Sequence, residues 1–226
     1  MNTKLLPLLA LVALPGLAET PWQVGLTLDQ ASFRKINYQG TLPFAGIPIP
    51  VTADTSIDNN TGLGLEVGYR AWDFGSSDLG FTGAYRFKSR SDARINITAA
   101  GVTLPPIKSK AGYSFASAGV QWNYHSKVNF GFGLQVRFER LADDDPEPGE
   151  TSVTASYARP WANGYVGYTF EAMGGVRPFV ALNTAVALSK SAPPDRIDLT
   201  DDQNIRDLLK AMGPVLAVGI QAGVRF

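Results

Sequence analysis

Of the residue pairs in this 226-residue chain, His125–Ser126 is the one whose types could break an acyl bond. An imidazole beside a hydroxyl can act as general base to a nucleophile, provided an acid orients it within hydrogen-bond reach. The nearest acid on the following segment is Glu139. If that segment is extended, Glu139 lies at its far end, a strand's length from the histidine. His125 is therefore assigned to a solvated turn. The acidic run Asp143 to Glu150 offers carboxylates to a divalent cation, but it lacks the fixed-offset ligand order of a calcium loop and reads as a polar connection. Asn59-Asn60-Thr61 and Asn96-Ile97-Thr98 are glycosylation-type triplets, with meaning only in a eukaryotic secretory context. No phosphate loop, zinc spacing or nucleophile elbow is present. The absence of cysteine excludes disulfides, thiolate metal ligands and a lipidated cysteine. The sequence thus assigns no catalytic, cofactor-binding or metal-ligating residue, and a non-enzyme is expected.

The elements that would carry a site begin with an export signal. Lys4 precedes the apolar run Leu5 to Leu14, and Pro15-Gly16-Leu17-Ala18 supplies small residues for a cut after Ala18. Residues 1–18 are expected to be a signal peptide, and 19–226 a single domain. No later apolar run is long enough for a membrane helix, so a spanning protein of this sequence must be a barrel. The formal charge of zero offers no basic field for nucleic acid.

Beyond the signal the chain alternates at period two. Val128, Phe130, Phe132, Leu134, Val136 and Phe138 stand against Asn129, Gly131, Gly133, Gln135, Arg137 and Glu139. The last stretch, Met212 to Phe226, puts Leu216, Val218, Ile220, Ala222, Val224 and Phe226 on one face and small or polar residues on the other. Comparable patterns begin at Trp22, Thr61, Leu79, Ser152 (interrupted at Pro160) and Val176, and another ends at Tyr124. The count predicts eight strands. Connections alternate, short near Asp73–Asp78, His125–Ser126 and Glu171–Gly175, long elsewhere. The one helical signal is Thr200 to Met212, with a Thr200/Gln203 capping box and Ile205, Leu208, Leu209 and Met212 on one face.

Alternation alone does not say which face is outside. Glycine does: Gly25, Gly64, Gly68, Gly80, Gly131, Gly133, Gly167, Gly219 and Gly223 share the polar face with Arg70, Arg86, Arg137, Arg177 and Arg225. Small residues leave room for long ones inside a narrow ring, whereas on a solvated strand they only weaken it. Trp22, Trp122, Tyr124, Tyr168, Phe170 and Phe226 gather on the apolar face at one end, as rings do at a membrane interface. The chain resembles the small eight-stranded outer-membrane β-barrel family, of which the transmembrane domain of outer-membrane protein A is one, and its final strand resembles that class's C-terminal signal strand. The resemblance covers nearly all of 19–226. It implies an all-β, eight-stranded antiparallel up-and-down barrel with one short helix in its last outer loop, in the cell outer membrane with both termini periplasmic. Its implied partners are outer-membrane lipid, lipopolysaccharide and the barrel-assembly machinery, and its implied state is monomeric.

Two alternatives remain at this stage. Asp58 to Leu65 and Leu104-Pro105-Pro106 are similar to segments of the outer-membrane protein W family, which implies a narrow channel for small hydrophobic molecules; Thr103 stands where that family has histidine. His125–Ser126 invites comparison with barrel lipid A deacylases, whose His-x-Ser pattern is absent. The inward list of Asp29, Glu66, Glu139 and Glu171 against Arg70, Arg86, Lys88, Arg137, Arg177 and Arg225 predicts a lumen plugged by paired charges, with Glu66 facing Arg86 and Glu171 facing Arg177.

Overall fold

The computed structural model describes residues 21–44, 47–144, 152–195 and 201–226. The expected signal peptide, most of the acidic run and Thr200 lie outside the described residues. The strands are β1 (Trp22–Phe33), β2 (Ile36–Phe44), β3 (Ile47–Ile57), β4 (Asn60–Asp73), β5 (Ser77–Ala99), β6 (Val102–Thr103), β7 (Ile107–Tyr124), β8 (Val128–Asp143), β9 (Thr154–Thr169), β10 (Arg177–Ala187) and β11 (Pro214–Arg225). Among the described residues one helix, α1 (Asp202–Met212), precedes the last strand.

All pairings are antiparallel, and they close. β1 pairs with β4, β4 with β5, β5 with β7, and β7 with β8. β8 then pairs with β9, β9 with β10, β10 with β11, and β11 with β1 again. A cycle of strands leaves no free edge within it, so the ladders run on around the ring.

The expected count of eight is corrected to eleven strands in the sheet. The cycle is made of the expected strands, and β2, β3 and β6 are additional. The stretch carrying Pro43, Pro48 and Pro50, one of the long connections expected, forms the antiparallel pair β2–β3, and β3 continues onto the far half of β5 from Val51↔Ala99 to Ile57↔Ala93. Its alternation explains this: Val51, Ala53, Thr55 and Ile57 are buried while Thr52, Asp54 and Asp58 are exposed. Burial of one face outweighs the missing amide donors. β6 returns on β5 through Ala100–Gly101, both at positive φ (50° and 79°), the two-residue turn whose twist suits a hairpin.

Pro160 does not interrupt β9. Its carbonyl accepts from Leu188 N at 2.9 Å, one residue past the end of β10, so the absent amide donor falls where that ladder is already finishing.

The outer face is apolar. Leu26, Leu63, Phe132, Leu134, Phe138, Leu182, Val218 and Ile220 are all exposed, and Leu28 has Leu63 on one side and Ile220 on the other. From Val128 to Phe138, ~3.4 Å per residue at a tilt of about 40° spans about 26 Å, the height of a bilayer's apolar band. Rings crowd the end holding the termini: Trp22 lies 4.8 Å from Tyr69, and Tyr124 5.1 Å from Phe130.

At the opposite end α1 folds inward over the ring. Asp201 caps it, accepting from Gln203 N at 2.9 Å, so the helix starts one residue later than the Thr200 cap expected. Leu208, Ala211 and Met212 are buried in a cluster with Ala31, Ile36, Ile57, Ala111, Tyr113, Phe115 and Leu141. The apolar face of the helix thus closes one mouth of the barrel.

Candidate functional site

Beneath α1 the inward residues form a continuous layer of cations, rings and carboxylates. Arg159 and Glu139 project from neighbouring strands and pair at 2.6 Å, both almost fully buried. The second oxygen of Glu139 accepts from Tyr113 Oη at 2.8 Å, and Arg159 Nη2 donates to Pro214 O at 2.7 Å. That last bond ties the layer to the residue where the helix hands over to β11. Arg137 lies between Phe115 and Trp161, 4.3 and 4.1 Å from their ring centres, contacts that offset part of the desolvation of its guanidinium, and it borders the same cavity as Glu66.

Arg86 completes the layer, and it corrects an expectation. Glu66 was expected opposite Arg86; the register places Gly64 there and Ala84 opposite Glu66. Arg86 reaches across β4 to Asp29 at 2.5 Å and donates to Asn60 Oδ1 and O at 2.7 and 2.9 Å. Gly62 permits this crossing, since a Cβ at that position would meet Arg86 Cζ at 2.5 Å. Gly62 is not one of the glycines singled out in the sequence; at those, an added Cβ would meet other groups, Gln221 at Gly25 and Thr27 at Gly64, and not an arginine side chain.

The end with the termini has its own closure. Arg225 donates to Gln23 at 2.9 Å and Thr169 at 3.1 Å and covers the Phe179 ring at 4.9 Å. Between the two layers a cavity of about 60 Å³ remains, bordered by Asp29, Glu66, Gln121, Arg137, Asn163, Asn183 and Gln221. That is room for a few waters among polar groups.

Other expected inward residues lie elsewhere. Glu171 and Arg177 are both exposed, at the turn between β9 and β10, and are not an inward pair. Arg70 bonds Asp73 at 3.1 Å near the rim. Lys88 is turned out by a bulge between Arg86 and Ser89 and holds Asp144. Inward residues that the sequence reading missed are Arg159, Trp161, Asn163 and Tyr165, all on β9, together with Tyr113. Their alternation with Ala158, Pro160, Ala162, Gly164 and Val166 is the signal, hidden by treating Pro160 as a break.

His125 and Glu139 stand at opposite ends, as the strand spacing implied. Instead, His125 Nε2 lies 2.5 Å from Asp78 Oδ2, and Asp78 Oδ1 accepts from Asn123 at 2.7 Å. Asp78 was missed because the β5–β7 pairing that brings it to Asn123 joins two different turns. Ser126 is exposed. The group ties two turns together.

Asp144, beyond the end of β8, is desolvated by the sheet, yet Lys88 and Arg90 outweigh this and hold its carboxyl below the usual range. A depressed carboxylate contributes stability above its unfolded value of about 3.9 and loses it as pH falls through the lower folded value. Acidification from pH 5 to pH 2 should therefore lower the thermal midpoint of the wild type by an increment that Asp144→Asn lacks. Parallel midpoint–pH curves for the two proteins would refute this.

Neither a family model nor a curated relative matches the chain. Solved structures do resemble it. The outer membrane protein OprG from Pseudomonas aeruginosa is 12% identical over 92% of this chain and 97% of its own, with a TM-score of 0.46. The outer membrane protease OmpT from Escherichia coli is 10% identical over 92% and 97%, with a TM-score of 0.39. AlkL, an outer membrane protein studied in DMPC bilayers, is 12% identical over 94% and 92%, with a TM-score of 0.36. Likeness at this level does not reach to activity.

Proposed function

We propose that this chain is a barrel of the bacterial outer membrane whose lumen is filled by its own side chains. It serves the envelope as a structural and surface-contact element, not as an open pore or an enzyme. The observation that carries the reading is the layer of Arg86, Arg137, Arg159, Glu139, Tyr113 and Trp161 beneath α1, every one of them buried. A water column would have to break these charge-assisted bonds together, and each stands in a low-dielectric surround where an unpaired group is costly. Location is supported by the exposed apolar band around a ring of strands without edges, the arrangement a bilayer tolerates. The extension built from β2, β3 and the far half of β5 supplies the outer surface for contact. β11, ending at Arg225–Phe226, is the proposed handle for barrel assembly, and the barrel works as a monomer.

A channel for hydrophobic solutes would need an apolar path, whereas the cavity is bordered by Asp29, Glu66, Arg137 and several amides. The test is planar-bilayer recording of purified protein whose folding is verified by the different gel mobility of boiled and unboiled samples. The expected result is no steady, porin-sized conductance step. Regular large steps from folded protein would overturn the plugged reading.

A further inference from the structure

The outer face of the wall changes character one row beyond the apolar band on β5, β7 and β8. Tyr85, Ala116 and Phe138 stand side by side as an exposed apolar row, and Phe87, 5.3 Å from Tyr85, is the last exposed ring on β5. The next row sets Arg140 opposite Ser114, with Lys88 at the neighbouring bulge. Further rows place Arg90 opposite Gly112, Asp92 opposite Lys110, and Arg94 opposite Lys108. The six basic side chains Lys88, Arg90, Arg94, Lys108, Lys110 and Arg140 are exposed. The alternate positions Ala111, Tyr113 and Leu141 are buried against α1, which fixes the basic set on the outer side. Gly112 reports the same orientation: a Cβ there would meet Lys88 Cε at 2.5 Å and Asp144 Oδ2 at 2.8 Å.

Among the described residues negative charge does not balance this face. Asp92 takes Lys110 at 3.0 Å, and Asp144 takes both Lys88 and Arg90. Asp54, on the neighbouring β3, and Asp58, just beyond its end, border it. Among the described residues Arg94, Lys108 and Arg140 have no ion-pair partner. A strand that needs only solubility can mix its charges; here cations gather directly above lipid-facing rings.

We propose that this face binds the phosphate-bearing headgroup of an outer-leaflet glycolipid whose acyl chains lie against the band below. The inference rests on the outer-membrane reading. Position selects the occupant: on β8 the charge of Arg140 stands about 7 Å along the strand from Phe138, so one molecule with acyl chains and phosphates spans both. Guanidinium groups clamp phosphate bidentately and ammonium groups add point charges. Each basic side chain at an anionic membrane surface is worth about fivefold in binding.

The test is native mass spectrometry of the folded protein in neutral detergent, titrated with bisphosphorylated lipid A and, separately, with phosphatidylcholine. Arg90→Gln/Lys110→Gln/Arg140→Gln is compared with Lys127→Gln/Arg177→Gln, which removes exposed cations at the opposite rim, and gel mobility verifies folding of each. Wild type and the opposite-rim variant should retain lipid A over phosphatidylcholine, and the triple variant should need at least tenfold more of it. Equal retention by the triple variant, equal loss in both variants, or no preference over phosphatidylcholine each overturn the proposal. If the protein inserts into phosphatidylcholine vesicles yet shows one of these results, only this inference fails. Failure to insert defeats the membrane reading and this inference together. Should the triple variant not fold, Arg140→Gln alone, expected to weaken retention about fivefold, gives the same decision.

Discussion

Leu134→Arg lowers the stability of the folded protein in a bilayer by about 2–4 kcal/mol, the cost of a lipid-facing cation near the midplane. Leu134 is 57% exposed and points outward, flanked by Val120 and Ala162 on the adjoining strands. It stands midway between Phe130 and Phe138, the outward rings nearest either end of β8, and so at the depth where no headgroup is within easy reach. Gln135 points the other way, onto the cavity that Asp29 and Glu66 also border. Gln135→Arg there meets carboxylates and polar partners, although Arg137 is close. Its cost should therefore be clearly smaller than that of Leu134→Arg. Urea titration of each variant refolded into phosphatidylcholine vesicles measures the difference. Equal tolerance at the two positions would show that the apolar face does not meet lipid.

The same contrast shows which parts of the molecule were legible in the sequence. β8 alternates without exception from Val128 to Glu139, so both its faces could be read directly. The helix was legible because its apolar residues repeat at helical spacing, and its burial over the mouth is the outcome that face demands. β9 was half legible, because one proline was weighed as a break when its position at the end of a ladder made it harmless. The Glu66–Arg86 pairing failed for a geometrical reason. Continued without a bulge, Asp73↔Asp78 and Trp72↔Leu79 would set Glu66 opposite Tyr85, an inward residue against an outward one; the extra residue Ala71 restores the alternation from Arg70↔Gly80 onward and leaves Glu66 opposite Ala84, two residues from Arg86. A bulge of one residue is invisible in composition, yet it moves every partner beyond it. The plug itself was legible as a list of inward charges but not as contacts. Arg86 finds its acid two strands away, on β1, and Arg137 is held between two rings.

The largest effect should come from separating the partners inside that plug. Arg159→Met leaves Glu139 almost fully buried with only Tyr113 Oη to stabilise its charge, and breaking a buried pair from one side costs about 3–5 kcal/mol. It also removes the donor to Pro214 O, so the junction between α1 and β11 loosens. Glu139→Leu/Arg159→Met removes both charges at once. Apolar replacement of a whole buried pair is often neutral or stabilising, and the adjoining Tyr113, Trp161 and Phe115 already supply an apolar setting. The double variant should therefore recover most of the stability lost by the single one, with Tyr113 Oη left as its residual cost of about 1–3 kcal/mol. Equilibrium urea unfolding in lipid vesicles, analysed as a double-mutant cycle with Glu139→Leu, measures the coupling. The plug also predicts a functional signature: Arg159→Met should make protease cleavage within residues 201–213 faster, while the double variant leaves Pro214 without its donor and stays cleavable. Additive stability losses, with no recovery in the double variant, would mean that Glu139 and Arg159 are not energetically paired and that the lumen is held by something other than this layer.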